Sequence, residues 1–444
     1  MRRLTLAALP VVAVLLLALV AVVPATTDQA REPRPVEVDQ TSYACVAGAG
    51  HTIAATQVEP GDEAQAITLP DGDEVGDLQD ASRYRAASVR AADVLVRQSG
   101  RASGAVGHTA GTQDGNLFLG ACPGIVDEAW FTGLGSTTQH GSILVLTNLA
   151  DVPAVVDLRL WGQDGEIDAV DSEGVVVEPR STRRLRVADL AAGEEDVAVA
   201  LQRRRGALSA VVDDGSPHGR SLVPAAASPS SRVQIGTLPA SGAARVLRLV
   251  NPTDSTARVA VAARGTEGTF VPEGLDEVEV GAGQTSVVEL PAALGETPVS
   301  LELSASARIT GDVQTVGRDD AAVTPTVQPW SGPAVVPLRL GGPELDSVVL
   351  TAPSAEARVS VEAFDEQGQS VAETRVEVGE GSSVEADLGD VLQADDAAYL
   401  VLRSEGGVLG TANYSAAGGL AALPLTAAPV TAQGPAVRWG APSR

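Results

Sequence analysis

The 444-residue chain has no lysine: arginine supplies all 31 positive charges, against 57 aspartates and glutamates, for a formal net charge of −26. That balance leaves no positive footprint for a phosphate backbone, so nucleic acid is excluded as a partner. Aromatic residues make up only 3%, too few for the stacking platforms of an ordinary sugar- or base-binding groove. The four histidines, His51, His108, His140 and His218, have no metal-ligating residue at i+3 or i+4. HExxH, GxSxG and CxxC motifs are all missing, which removes the recurrent signatures of zinc, serine-hydrolase and thiol-redox chemistry. The sequence therefore points to no catalytic residue, no metal and no cofactor.

What is present is material for packed cores. Hydrophobic residues account for 44% of the chain and charged ones for 20%, too apolar for disorder. With 46 glycines, 27 prolines and abundant Val, Ala and Thr, the composition favours short strands joined by turns.

Arg2 and Arg3 precede an uncharged run from Leu4 to Val23. A basic start followed by such a run is an export signal, and twenty residues also match a bilayer core of about 30 Å, so residues 1–25 read as a signal peptide or a signal anchor in the cytoplasmic membrane. Residues 26–39, rich in Pro and charge, read as a linker. Export makes the two cysteines, Cys45 and Cys122, a disulfide pair.

A repeat of about one hundred residues organises the remainder. Ile143-Leu-Val-Leu-Thr-Asn148, Val246-Leu-Arg-Leu-Val-Asn251 and Val348-Val-Leu-Thr-Ala352 each precede an alternating run beginning at Ala154, Ala257 or Ala357. The segments Val197–Val212, Val299–Val316 and Tyr399–Tyr414 read as hairpins, and residues 85–110 repeat them in a divergent earlier copy that takes Tyr43 to Val46 as its first strand. Bridging strands at Trp130, Val233, Val335 and Ala436–Trp439 are assigned to the module before each. The expected fold is all-β: tandem antiparallel β-sandwich modules of immunoglobulin or fibronectin III type after one N-terminal hydrophobic helix. The divisions are a disulfide-bearing module at 40–141 and further modules at 142–244, 245–345 and 346–444.

The basic-apolar start, the paired cysteines and the strand-turn Leu247-Arg-Leu-Val-Asn251-Pro-Thr-Asp254, followed by Arg258-Val-Ala-Val261, together resemble a family of secreted or membrane-anchored proteins of unknown function from high-GC Gram-positive bacteria. The resemblance covers nearly the whole chain and implies no activity.

Asp213-Asp214-Gly-Ser-Pro-His218 looks like part of a triad, but a polar turn explains it more simply. The acidic run Asp71 to Asp77 lacks the spacing of a calcium loop. Trp130, Trp161, Trp330 and Trp439 read mainly as core or inter-module packing, with an exposed pair serving a glycan as the alternative. Arg180, Arg183, Arg184 and Arg186 on one strand, with Arg203, Arg204 and Arg205 in a turn, form a basic island that could grip an anionic envelope polymer; the plainer reading is a solvated face. The expectation is an exported, membrane-tethered, non-enzymatic envelope protein with a structural or adhesive role and a polymer or protein partner. A glycan- or anionic-polymer-binding accessory is the alternative, and an enzyme comes third.

Overall fold

The computed structural model describes residues 35–433 except 91, 114, 241–243, 318, 319 and 395. The N-terminal apolar run and the Ala436–Trp439 strand lie outside the described residues. Among those described, no helix is long and apolar enough to cross a membrane. Two compact units are present. In one, Pro35–Glu37 pairs antiparallel with Thr431–Gln433. The other, residues 38–430, is nearly all β.

Alternation builds its strands. In Ala257–Gly265 the residues Ala257, Val259, Val261 and Ala263 are fully buried, while Arg258 faces out. Ala154, Val156, Leu158 and Leu160 do the same in Ala154–Gly162. A period of two gives each strand one apolar face, and two such faces closing on each other bury it. The second sandwich illustrates the plan. One sheet holds Glu128–Leu134, Val197–Arg205 and Ala154–Gly162 with the short strands Gly165–Ile167 and Val175–Val177; the other holds Thr182–Arg186, Gly141–Asn148, Leu208–Ser216 and Gly219–Val223. Phe131, Leu144, Leu146, Leu160, Val199 and Val212 meet between them. Strands between 40 and 122, 230 and 327, and 330 and 424 form the first, third and fourth sandwich-like bodies.

Three expectations are corrected. The segments read as hairpins are not hairpins: Val299–Val316 and Tyr399–Ala416 are single strands of 18 residues. The first half of Val299–Val316 pairs with Ser230–Leu238 and Ala257–Gly265, and the second half with Ala244–Asn251 and Ala321–Val327, in the opposite layer. A strand that bends across a sandwich corner serves both sheets, and its small mid-strand residues imitate a turn in the sequence. In the second sandwich the same passage is broken at Gly206, and Val197–Arg205 and Leu208–Ser216 lie in different sheets.

The bridging strands pair forward rather than closing the module before them. Glu128–Leu134 bonds Val197–Arg205, Ser230–Leu238 bonds Val299–Val316, and Trp330–Pro337 bonds Tyr399–Ala416. Consequently Tyr43 belongs to the bridging strand of the first sandwich, Gln40–Cys45 paired with Asp93–Ser99, and the first-strand position falls to Ala49–Thr56. Edge hydrogen bonds, invisible in a local pattern, decide which body a boundary strand joins.

Within the 38–430 unit the bodies contact one another in a closed cycle. Leu95 and Leu149 join the first to the second, Trp161 and Val250 the second to the third. Thr237 Oγ1 donates to Val349 O at 2.8 Å between the third and fourth. Tyr84 closes the cycle: its hydroxyl donates to Arg339 O, and its ring stacks on Tyr399 with centroids 5.9 Å apart.

Candidate functional site

Cys45 and Cys122 are bonded, joining the first and last strands of the first sandwich. The pairing read from two cysteines stands.

The basic island is split and largely occupied. Arg183, Arg184 and Arg186 lie on Thr182–Arg186 of one sheet, while Arg203, Arg204 and Arg205 end Val197–Arg205 of the other. Arg180 pairs with Asp151, and Arg183 donates to Val176 O at 2.9 Å. Arg184 reaches Asp93 of the first sandwich at 2.8 Å, and Arg186 binds Asp189 through two bonds of 3.0 Å. Arg203 donates to Val126 O at 2.9 Å and pairs with Asp127, while Arg204 pairs with Asp157. Arg205 is exposed. An anionic polymer would have to compete with these internal acceptors.

His218 sits in an exposed turn, its N–H donating to Ser216 Oγ at 3.2 Å, and meets neither aspartate. His140, in the loop before Gly141–Asn148, is buried and bonds Asp214 through Nε2 at 3.0 Å, and Ser142 Oγ donates to the same carboxylate. Because the serine proton is committed to Asp214, the three groups form a buried clamp rather than a serine activated by histidine. The Asp71–Asp77 run is exposed or half-buried, and among the described residues no group of three or more His, Cys, Asp or Glu is placed to hold a metal.

Two polar junctions escaped the sequence. Between the second and third sandwiches, Arg248 stands 3.5 Å from Asp196 and 3.9 Å from Asp312, and donates to Gln314 Oε1 at 2.7 Å. Gly133 makes this possible: at φ +67° it has no side chain, and a Cβ there would lie 2.5 Å from Arg248. Burial raises the Asp196 pKa to about 6, with Arg248 opposing and Asp312 adding to the rise. Burial likewise raises that of Asp312. The second junction is Asp320, 0% exposed. Its carboxylate accepts Leu117 N of the first sandwich at 2.8 Å, Leu420 N of the fourth at 3.1 Å and its neighbour Ala321 N at 2.9 Å. Gly219 of the second sandwich packs on it, where a Cβ would meet Asp320 Oδ1 at 2.3 Å. One side chain therefore touches all four bodies.

Among the described residues two concave surfaces of unlike chemistry stand out. A cleft of about 580 Å³ on the second sandwich contains Glu128, Asp157, Glu166, Asp168 and Glu173 above Trp130 and Trp161. These two rings stack 5.0 Å apart and are 7% and 1% exposed, so they serve packing and offer no face for a sugar. Trp330 is also buried, and Trp439 lies outside the described residues. The second, beside His108, holds about 440 Å³ and has no Asp, Glu or Arg among the described residues that line it.

The geometry defines a disulfide-bonded, all-β body of interlocked sandwich-like units. The chain belongs to the Family of unknown function (DUF5719), whose model matches residues 79–389. No curated protein matches it significantly.

Proposed function

We propose that this protein is an exported, membrane-tethered, non-enzymatic component of the cell envelope, built of tandem immunoglobulin-like modules and acting in a structural or adhesive role. The observation that carries the reading is the Cys45–Cys122 bond, since such bonds persist in oxidising compartments. The basic-apolar start supports export. The investment of Asp320, Arg248 and Tyr84 in contacts between bodies supports a mechanical rather than a catalytic use, because these groups hold neighbours together.

The test is fractionation of the native host carrying an epitope-tagged chain, with protease added to intact spheroplasts and thiols alkylated before lysis. The expected result is a membrane-associated, protease-accessible chain with no alkylated cysteine, crosslinking in place to an envelope protein or polymer. A soluble cytoplasmic chain with free thiols overturns the reading.

A further inference from the structure

The uncharged cavity beside His108 shares the wall residues Ala121, Pro424 and Thr426 with a smaller apolar one of about 110 Å³. The larger lies between the first sandwich and the segment 424–429 of the fourth; the smaller is lined by Leu119, Leu222, Pro325 and Leu423, one from each of the four bodies. One residue in five of this chain is charged (20%), yet none of the described residues lining either cavity is an Asp, Glu or Arg. The acidic cleft on the second sandwich has five carboxylates, so the contrast is local chemistry and not composition.

The second observation is His108 itself. It pairs across the sheet with Ala121, and both residues line the cavity. Gly107 and Cys122, the adjacent cross-strand pair, line it as well. His108 is 4% exposed and its Nδ1 has no hydrogen-bond partner. Burial lowers its pKa to about 4, so the ring is neutral at neutral pH. Nδ1 is shielded from the cavity in this conformation, so the free energy that its missing bond costs is recovered only by a ligand group that turns the ring; a cavity of this size with mainly apolar walls and a few polar groups is the usual form of a small-molecule site.

We propose that the two cavities together bind a neutral amphiphile, a single acyl or isoprenoid chain bearing an uncharged hydroxyl or amide. The polar group meets His108, and the chain runs past Ala121 toward Leu119, Leu222 and Leu423. A carboxylate or phosphate at the His108 end is disfavoured, because none of the described residues lining the walls is a cation that could offset its desolvation. The site stands independently of the envelope role.

The probe is 1-dodecanol carrying a photoreactive diazirine, offered to the full chain and mapped by peptide mass spectrometry, with unlabelled 1-dodecanol and dodecanoate as competitors. Expected is labelling concentrated in residues 105–125 and 419–429, suppressed at least tenfold more effectively by dodecanol than by dodecanoate at pH 8. Ala121→Phe, which fills the shared wall, reduces that labelling tenfold or more while leaving other labelled peptides unchanged. Mapping the parent chain keeps the test valid should the variant fail to fold. Labelling confined to other segments, labelling that dodecanol does not suppress, or equal competition by the carboxylate overturns the proposal.

Discussion

Asp320 and Arg184 illustrate how much rests on single charged side chains here. Asp320→Ala leaves Leu117 N and Leu420 N, both buried or half-buried, without an acceptor; at about 1–3 kcal/mol for a buried group left unsatisfied, the expected loss in a urea melt is roughly 2–4 kcal/mol. Arg184→Gln is expected to lower stability as well, since it strips the ion pair from Asp93, whose side chain is 2% exposed; an exposed basic face would have tolerated the change, and an unaltered melt would restore the solvated reading. Asp196 gives a pH signature. Its folded pKa stands at about 6 against an ordinary 3.8, so the folded state holds the proton more tightly than the unfolded chain. The stabilisation is fully present below about pH 4 and is lost as pH rises through 6, amounting to about 3 kcal/mol at most. Denaturation between pH 4 and 8 should show this slope, and Asp196→Asn should flatten it.

At the scale of elements, the repeated asparagine is a shared device. Asn148 Nδ2 donates to Val152 O and Val177 O, while Asn251 Nδ2 donates to Ser255 O, Val280 O and Gly281 O. Each also accepts a backbone N–H two residues on, from Ala150 or Thr253. Both are fully buried, so Asn251→Ala should cost about 2–4 kcal/mol by leaving several carbonyls unpaired. The fourth copy has Ala352 there and keeps a main-chain bond across the turn, Gly381 N donating to Ala352 O at 2.8 Å, as Arg180 N does to Ala150 O and Gly283 N to Thr253 O in the second and third. The strand-turn was legible because Asn and Pro act locally. The crossing strand was not: Ala305, Ser306 and Ala307 look like a turn until each half finds its partners in opposite layers.

At the scale of the whole 38–430 unit, closure changes how unfolding should proceed. A string of independent modules melts in separate steps, whereas bodies that share buried surface melt together. Residues of the first and fourth sandwiches form one core cluster, with Ala54, Tyr84, Leu117 and Leu119 packed against Leu340, Val348, Tyr399 and Tyr414. Scanning calorimetry is therefore expected to give one dominant transition, and Gly419→Val should both lower and split it, because a Cβ there would lie 2.6 Å from Leu117 N and 2.8 Å from Asp320 Oδ2. Several resolved transitions in the parent chain would count against closure.

The sequence by itself determined the properties that act within a few residues or through composition: alternation that makes strands, a repeat that makes several similar bodies, and two cysteines whose count permitted one pair. In the sequence His108 stands among small residues and Asp320 follows Asp319, with nothing local to mark either. What tertiary structure alone decided was the company those side chains keep. Asp320 binds a backbone N–H of Leu117, 203 positions away, and His108 lines one cavity with Pro424 and Thr426. Contacts at that separation depend on how whole sheets pack, on which edge strand joins which body, and on glycines that yield space at Gly133 and Gly219. No local periodicity carries that information, because the energies that select it are summed over surfaces the chain brings together only after its strands have formed.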